Sequence, residues 1–437
     1  MFNNKQYLIM KRLNCILLAV ALMVGGSAVG QINIPGGSIK PPVPPAKQRQ
    51  KPKKQARPKK AAQAKVKYYD VTFTSNAYDG DLYIDGDYVG DANTSQALKA
   101  GSHTVKVVTD YYNDYSTTVN VSSNKSVDLS LTEKTDAESQ YQLGFNYYAG
   151  RSGFPWNQTL ATEHFLNAAN QGHADAQSWL GYCYFKGNGV TKNYTEAVKW
   201  SKKAAEKGDL WAMSALGYCY YYGLGVTKDY NEAAKWLKKV AEQGNATAQK
   251  NLGICYENGH GVTQSYAEAV NWYRKAAEQG DADAQKNLGD CYYNGNGVTQ
   301  SYTEAVNWYR KATEQGDARA LCKLGVCYYY GNGVTQSYTE AVNWYRKAAE
   351  QGYAFAQCWL GYCYSNGNGV TQSYTEAVNW YRKAAEQGDA AAQRNMGVCY
   401  EMGNGVNKDK QEAVKWYRKA AEQGNSKAKD DLKRLGY

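Results

Sequence analysis

The sequence predicts a mainly helical fold: an α/α superhelical solenoid of about eight 36-residue helix-turn-helix units, preceded by a small antiparallel β-sandwich. Three observations carry this expectation. Gly181, Gly217, Gly253, Gly289, Gly325, Gly361 and Gly397 stand 36 residues apart. Trp200, Trp236, Trp272, Trp308, Trp344, Trp380 and Trp416 keep the same period, and a fixed period of this size marks a stacked repeat array. Between Tyr69 and Thr132 the apolar period instead falls to two, the mark of strands with one buried face.

At the N-terminus, Lys11 and Arg12 precede the apolar run Cys15–Val24, and Ala28 and Gly30 suit the small positions before a cleavage point. Residues 1–30 are expected to be an export signal. An uncleaved anchor is the alternative, because the run approaches the ~20 residues that span a bilayer. Residues 31–67 are rich in Pro, Lys and Gln and cannot bury a core, so they are expected to form a solvated linker. A spacer reaching across an envelope or touching anionic lipid or polymer is the functional alternative for the same stretch.

The formal charge of +11 sits in this leader: fourteen basic residues precede the first acid, Asp70. The remainder holds 37 basic against 40 acidic residues. A nucleic-acid-binding body carries its positive charge on a folded face, so no nucleic-acid partner is expected.

Residues 68–134 alternate in polarity through Val71 and Phe73, Leu82 and Ile84, Val105 and Val107, Val119 and Val121, then Val127, Leu129 and Leu131. Asp85-Gly86 between Ile84 and Tyr88 is a hairpin signal. The string from Ser75-Asn76 through Leu82-Tyr83-Ile84-Asp85-Gly86 and Gly101-Ser102-His103-Thr104 resembles the PEGA domain family. That resemblance implies a small β-sandwich of surface and envelope proteins, without a catalytic site. Ala77-Tyr78-Asp79-Gly80 departs from the family at its Pro-x-Gly-Ala motif.

From residue 135 the repeats begin, with a degenerate first copy carrying Gly144 and His164 in the glycine and tryptophan positions. In each copy the first helix buries residues such as Ala176, Leu180, Cys183 and Tyr184 on one stripe. A Gly-x-Gly turn ends it. Ser265, Ser301, Ser337 and Ser373, each three residues before a Glu, open the second helix as capping boxes, with Asn193, Asp229 and Asp409 in the serine's place elsewhere. Ala269, Trp272, Ala276 and Ala277 are its expected core stripe, and Trp272→Ala is expected to cost about 3–5 kcal/mol. Gly280 stops this helix and Asp281 caps the next. After Gly424 a charged helix with Lys433 at the glycine position reads as a polar cap.

The motif Leu-Gly-x-x-Tyr-x-x-Gly-x-Gly-Val, followed by Glu-Ala-x-x-Trp-x-x-Lys-Ala-Ala-Glu-x-Gly, is similar to the Sel1-like repeat family, relatives of the tetratricopeptide repeat, over about 300 of the 437 residues. The resemblance implies an adaptor that assembles protein complexes. Some secreted members bind cell-wall-related or β-lactam compounds.

Motifs for chemistry are weak. Gly187–Lys192 resembles a phosphate loop but lies between helices and recurs with Gln for Lys. Ser122 and Lys125 have acyl-transferase spacing but sit in a predicted hairpin. His103, His164, His173 and His260 show no ligand spacing, so neither metal nor cofactor is expected. The cysteine series at Cys183, Cys219, Cys255, Cys291, Cys327, Cys363 and Cys399, together with Cys322 and Cys358, reads as buried packing residues rather than disulfides.

Positions that differ among copies are free of packing constraint. On the first helices they carry Trp179, Tyr182, Phe185, Tyr218, Tyr221, Tyr222, Tyr293, Tyr329, Tyr330, Trp359 and Tyr362, expected to form one aromatic band on a concave face. Such rings bury much area at small entropic cost. The expectation is a non-enzymatic scaffold, exported to the periplasm or surface of a bacterium, that holds a protein or peptide partner. A carbohydrate or peptidoglycan binder and a hydrolase of wall-related substrates are the alternatives.

Overall fold

The computed structural model describes residues 66–151 and 153–437. The expected export signal, and the expected linker up to residue 65, lie outside them. The described chain divides into two compact units, the first ending at Trp236 and the second starting at Leu237.

The first unit opens with seven strands: β1 (Tyr68–Ser75), β2 (Asp81–Ile84), β3 (Asp87–Asp91), β4 (Thr94–Lys99), β5 (Gly101–Val108), β6 (Tyr115–Val121) and β7 (Lys125–Leu129). They form a three-stranded sheet, β4-β1-β7, and a four-stranded sheet, β3-β2-β5-β6. Val71, Phe73 and Leu129 of one sheet and Leu82, Val105, Val107, Val119 and Val121 of the other share one core. The sandwich departs from the wholly antiparallel expectation at one pair: β1 and β7 run parallel. A parallel pair needs a long crossover, which β2 to β6 supply.

Asp85 (φ +50) and Gly86 (φ +89) make the β2–β3 turn. His103 locks it, with Nδ1 2.6 Å from the Asp85 carboxylate and Nε2 2.8 Å from the Lys99 carbonyl. The Lys99 carbonyl and then Asp85 raise the His103 pKa above its ordinary 6.5. Because the folded state holds this proton more tightly, its stabilisation is complete below pH 6.5 and is lost as pH rises through the folded pKa. Thermal unfolding of the β-sandwich should therefore move to lower temperature as pH climbs above 6.5, and His103→Gln should remove that slope.

The helices follow in pairs: α1 (Ala137–Ala149), α2 (Gln158–Asn170), α3 (Ala174–Lys186), α4 (Tyr194–Glu206), α5 (Leu210–Tyr222), α6 (Tyr230–Glu242), α7 (Ala246–Asn258), α8 (Tyr266–Glu278), α9 (Ala282–Asn294), α10 (Tyr302–Glu314), α11 (Ala318–Tyr330), α12 (Tyr338–Glu350), α13 (Ala354–Asn366), α14 (Tyr374–Glu386), α15 (Ala390–Met402), α16 (Lys410–Glu422) and α17 (Ser426–Leu435). Odd-numbered helices open a repeat and even-numbered helices close it. The caps form as the sequence predicts: Ser265 Oγ accepts the Glu268 N–H at 3.2 Å, and Asp281 accepts that of Ala284 at 2.8 Å. Gly295 (φ +76) closes α9 by donating to the Cys291 carbonyl at 2.9 Å.

Trp200 and Trp272 are buried as expected, but the equivalent tryptophans of later copies are not. The most deeply buried ring of the second helix is the tyrosine after the tryptophan. Tyr273, Tyr309, Tyr345 and Tyr417 are wholly buried, whereas Trp308, Trp344, Trp380 and Trp416 are half-buried at the rim. Each rim indole carries a lysine over its face, as Lys311 Nζ lies 3.9 Å from the Trp308 centroid. The periodic glycine exists for the tyrosine: a Cβ on Gly289 or Gly325 would stand 2.6 Å from the ring of Tyr309 or Tyr345. In the first two copies Phe165 and Ser201 take that place against Gly144 and Gly181.

A glutamine ladder ties successive repeats together. Gln285 Nε2 donates to the Ala277 carbonyl at 3.1 Å, and its Oε1 accepts from Gln315 at 3.0 Å. Gln249, Gln357 and Gln393 do the same with Gln279, Gln387 and Gln423. Buried amides need such partners. Leu321 interrupts the ladder in α11.

Within the first unit the sandwich and the first repeats share one continuous core. Phe154, in the α1–α2 connection, lies 4.7 Å from the Tyr78 ring, 5.9 Å from Tyr111 and 5.1 Å from Tyr147. Tyr78 belongs to the Ala77–Gly80 segment that departs from the PEGA motif, so that departure lies where the sandwich meets the helices.

Candidate partner-binding face

The odd-numbered helices divide the expected aromatic residues by burial. Trp179, 1 % exposed, stacks on Phe165 (5.6 Å, 19°) and meets the edge of Phe145. Phe185, Tyr221 and Tyr329 are buried as well. These four are packing residues in the structure, because neighbouring rings close over them. Tyr182, Tyr218, Tyr293 and Trp359 are half-buried, and Tyr222, Tyr330 and Tyr362 are exposed.

Within each unit the rings gather locally. In the first unit Tyr182 meets Trp211 (5.5 Å), and Tyr218 meets Phe185 (6.0 Å) and Tyr222 (4.6 Å). In the second unit a cluster gathers around Trp359 of α13. Between them in chain order, α7 carries Ile254 and α9 carries Asp290 at the Tyr182 position, while α9 keeps Tyr293 at the Phe185 position.

The charged side chains are mutually satisfied. Lys250 Nζ lies 2.8 Å from Asp283, and Asp290 meets Lys286 at 3.0 Å and Lys323 at 3.3 Å. Arg319 pairs with Asp317 and Asp283. Burial pushes the Asp283 carboxyl up, but Lys250 and Arg319 overcome it and hold the group well below the usual carboxylate range.

Around Trp359 the rings of Tyr329 (5.3 Å, 61°), Tyr330 (6.1 Å, 87°), Phe355 (6.3 Å, 71°) and Tyr362 (5.9 Å, 75°) stand across the indole. Tyr345 stacks on it at 5.5 Å and 17°. Sequence reasoning missed Tyr345, Tyr353 and Phe355. Tyr353 carried a signal: it stands at the N-cap of α13, where the other internal odd-numbered helices have His, Asp or Asn, and it makes no side-chain cap bond.

The weaker chemical motifs gain little. Ser122 and Lys125 are exposed beside the β6–β7 turn, and Lys125 Nζ donates to the Asn120 carbonyl at 3.1 Å. The nine cysteines among the described residues are free and buried, and burial pushes the Cys327 and Cys363 thiols up to about 12. Such thiols do not ionise near neutrality. Among the described residues no helix is long and apolar enough to cross a membrane.

Comparison with known families finds the Sel1 repeat in eight consecutive copies, residues 137–173, 174–209, 212–245, 246–281, 282–317, 318–353, 354–389 and 390–425. The PEGA domain matches residues 68–136. Among solved structures, the chain is similar to c5321, a protective antigen of uropathogenic Escherichia coli strains, at 39 % identity and TM-score 0.60 over 69 % of this chain. It spans 64 % of that protein's length. It is also similar to a Sel1 repeat protein from Oxalobacter formigenes at 34 % identity and TM-score 0.57, covering 68 % of this chain and 86 % of the other. No curated protein gives a significant match.

Proposed function

The chain belongs to the Sel1 repeat family, and from that premise we propose that it is a non-enzymatic scaffold of the bacterial envelope that binds a protein partner on its odd-numbered helices. Where copies differ carries this reading. On α8, α10, α12 and α14 the exposed Asn271, Asn307, Asn343 and Asn379 are the same residue, and the flanking Glu, Arg and Lys repeat with them. On the odd-numbered helices of those same four repeats one position runs Ile254, Asp290, Val326 and Tyr362. Difference concentrated on one face is what a surface reading a single irregular partner requires, whereas a uniform face is what stacking alone requires. The basic and apolar N-terminal segment supports export by the same reasoning as any signal sequence.

The test is site-specific photocrosslinking in the native cell. A benzophenone side chain at 218, 326 or 362 should give discrete protein adducts, and one at 271, 307 or 379 should not. Equal adducts from both faces would overturn the reading.

A further inference from the structure

We propose that the Trp359 cluster is a receptor for one large apolar side chain of an extended peptide, and that the Tyr345 hydroxyl donates to a backbone carbonyl beside that side chain. The proposal rests on the scaffold reading and names the chemistry of its partner at one place.

The first observation is a hydroxyl without an acceptor. In sister repeats the tyrosine hydroxyl of the second helix finds one: Tyr273 donates to Glu257 at 2.6 Å, Tyr309 to Asp290 at 2.7 Å and Tyr417 to Glu401 at 2.8 Å. The corresponding positions on α11 hold Val326 and Tyr329, and the Tyr329 hydroxyl is engaged by Asn368 Nδ2 at 2.7 Å. Tyr345 is wholly buried and its hydroxyl has no partner among the described residues. An unmet buried donor is costly and calls for an explanation.

The second observation is that other rules of the array lapse here. The cap aspartate is replaced by Tyr353, and the glutamine ladder by Leu321, both packed in the same apolar cluster as Trp359 and Tyr345. In their place the face shows large apolar surface: Tyr330 is 55 % exposed, Phe355 43 % and Tyr362 41 %. The two departures exchange polar bonds of the array for one apolar cluster, and local rules that lapse together mark a candidate functional site.

The ring geometry selects the occupant. Four rings stand at 61° to 87° to the Trp359 indole, which makes a cup and not a flat platform for a sugar ring. The nearby cations Lys323 and Arg319 already meet Asp290, Asp283 and Asp317, so the rim asks for no charged residue. Tyr345 stacks on the Trp359 indole that Tyr329 and Tyr330 also meet, so its hydroxyl belongs to this cluster. Tyr330, being largely exposed, turns aside at small cost and opens the hydroxyl to a carbonyl. An aromatic or branched aliphatic side chain set into the cup, with its own backbone at the hydroxyl, uses every one of these features.

The experiment presents the full chain with a displayed library of short random peptides. Selected peptides should share a large apolar residue and shift the fluorine resonance of 5-fluorotryptophan at 359. Trp359→Ala should weaken them about tenfold or more, as for a binding hot spot. Tyr345→Phe should weaken them about five- to tenfold and leave the melting temperature of the free chain unchanged or higher, whereas Tyr309→Phe should lower it. Tyr353→Asp restores the cap, so it should raise the melting temperature and still weaken the peptides. Selected peptides indifferent to Trp359→Ala, or a Trp359 resonance that answers only to an N-acetylglucosamine oligomer, would overturn the proposal. Crosslinks at 218 that persist in that case leave the scaffold reading standing, and their loss as well removes both.

Discussion

Gly297→Ala is expected to destabilise the repeats on either side of it by about 2–5 kcal/mol, the sum of a left-handed residue with a side chain and an overpacked contact. Gly297 has φ +73, and a Cβ there would stand 2.3 Å from the carbonyl carbon of Tyr266 at the start of α8. That atom is backbone held in a helix, so it cannot yield as a side-chain end would. The same approach recurs at Gly333, Gly369 and Gly405 against Tyr302, Tyr338 and Tyr374. Gly280 is the control, because it has φ +91 but nothing within 4 Å of its would-be Cβ. Gly280→Ala should therefore show only the conformational part, about 1–2 kcal/mol. Denaturant unfolding with hydrogen exchange across α8 to α10 measures both. Equal costs would mean that the turn does not rest on its neighbour.

Tyr309→Ala is the second large effect, expected at about 3–5 kcal/mol, against roughly 1–2 kcal/mol for Trp308→Ala. Tyr309 is wholly buried against Gly289, and its hydroxyl reaches Asp290. Trp308 is half-buried, with Lys311 over its outer face. Truncating the tyrosine empties the space that the glycine creates and removes one donor from a carboxylate that Lys286 and Lys323 still hold. Truncating the tryptophan strips a rim contact that solvent partly replaces. Paired unfolding curves of the two variants decide the order, and a larger loss for the tryptophan would overturn it.

A periodic pattern does not rank its own members. Trp308 and Tyr309 are adjacent and both recur every repeat, so periodicity marks both as structural without saying which faces inward. Helical geometry places neighbours about 100° apart on the wheel, and the choice between them depends on the tilt of one helix against the next. The same limit governs the binding face. Trp179 and Trp359 hold the same place in the repeat. Phe145, Phe165 and Tyr182 enclose the first, while the second keeps a partly open face among Tyr330, Phe355 and Tyr362.

The repeat length, the caps, the turn glycines and the strand-to-helix change could be read from sequence, because each is local: a hydrogen bond within one turn, a φ that only glycine takes freely, or an alternation within one strand. What needed the tertiary structure was everything set by residues distant in the chain. The parallel pairing of β1 with β7 joins segments more than fifty residues apart, and Phe154 completes a core begun by the sandwich. Among the described residues the Tyr345 hydroxyl lacks an acceptor because Val326 and Tyr329 stand where sister repeats place carboxylates. Burial and the satisfaction of polar groups are properties of a whole neighbourhood, and a linear pattern does not say which neighbours will meet.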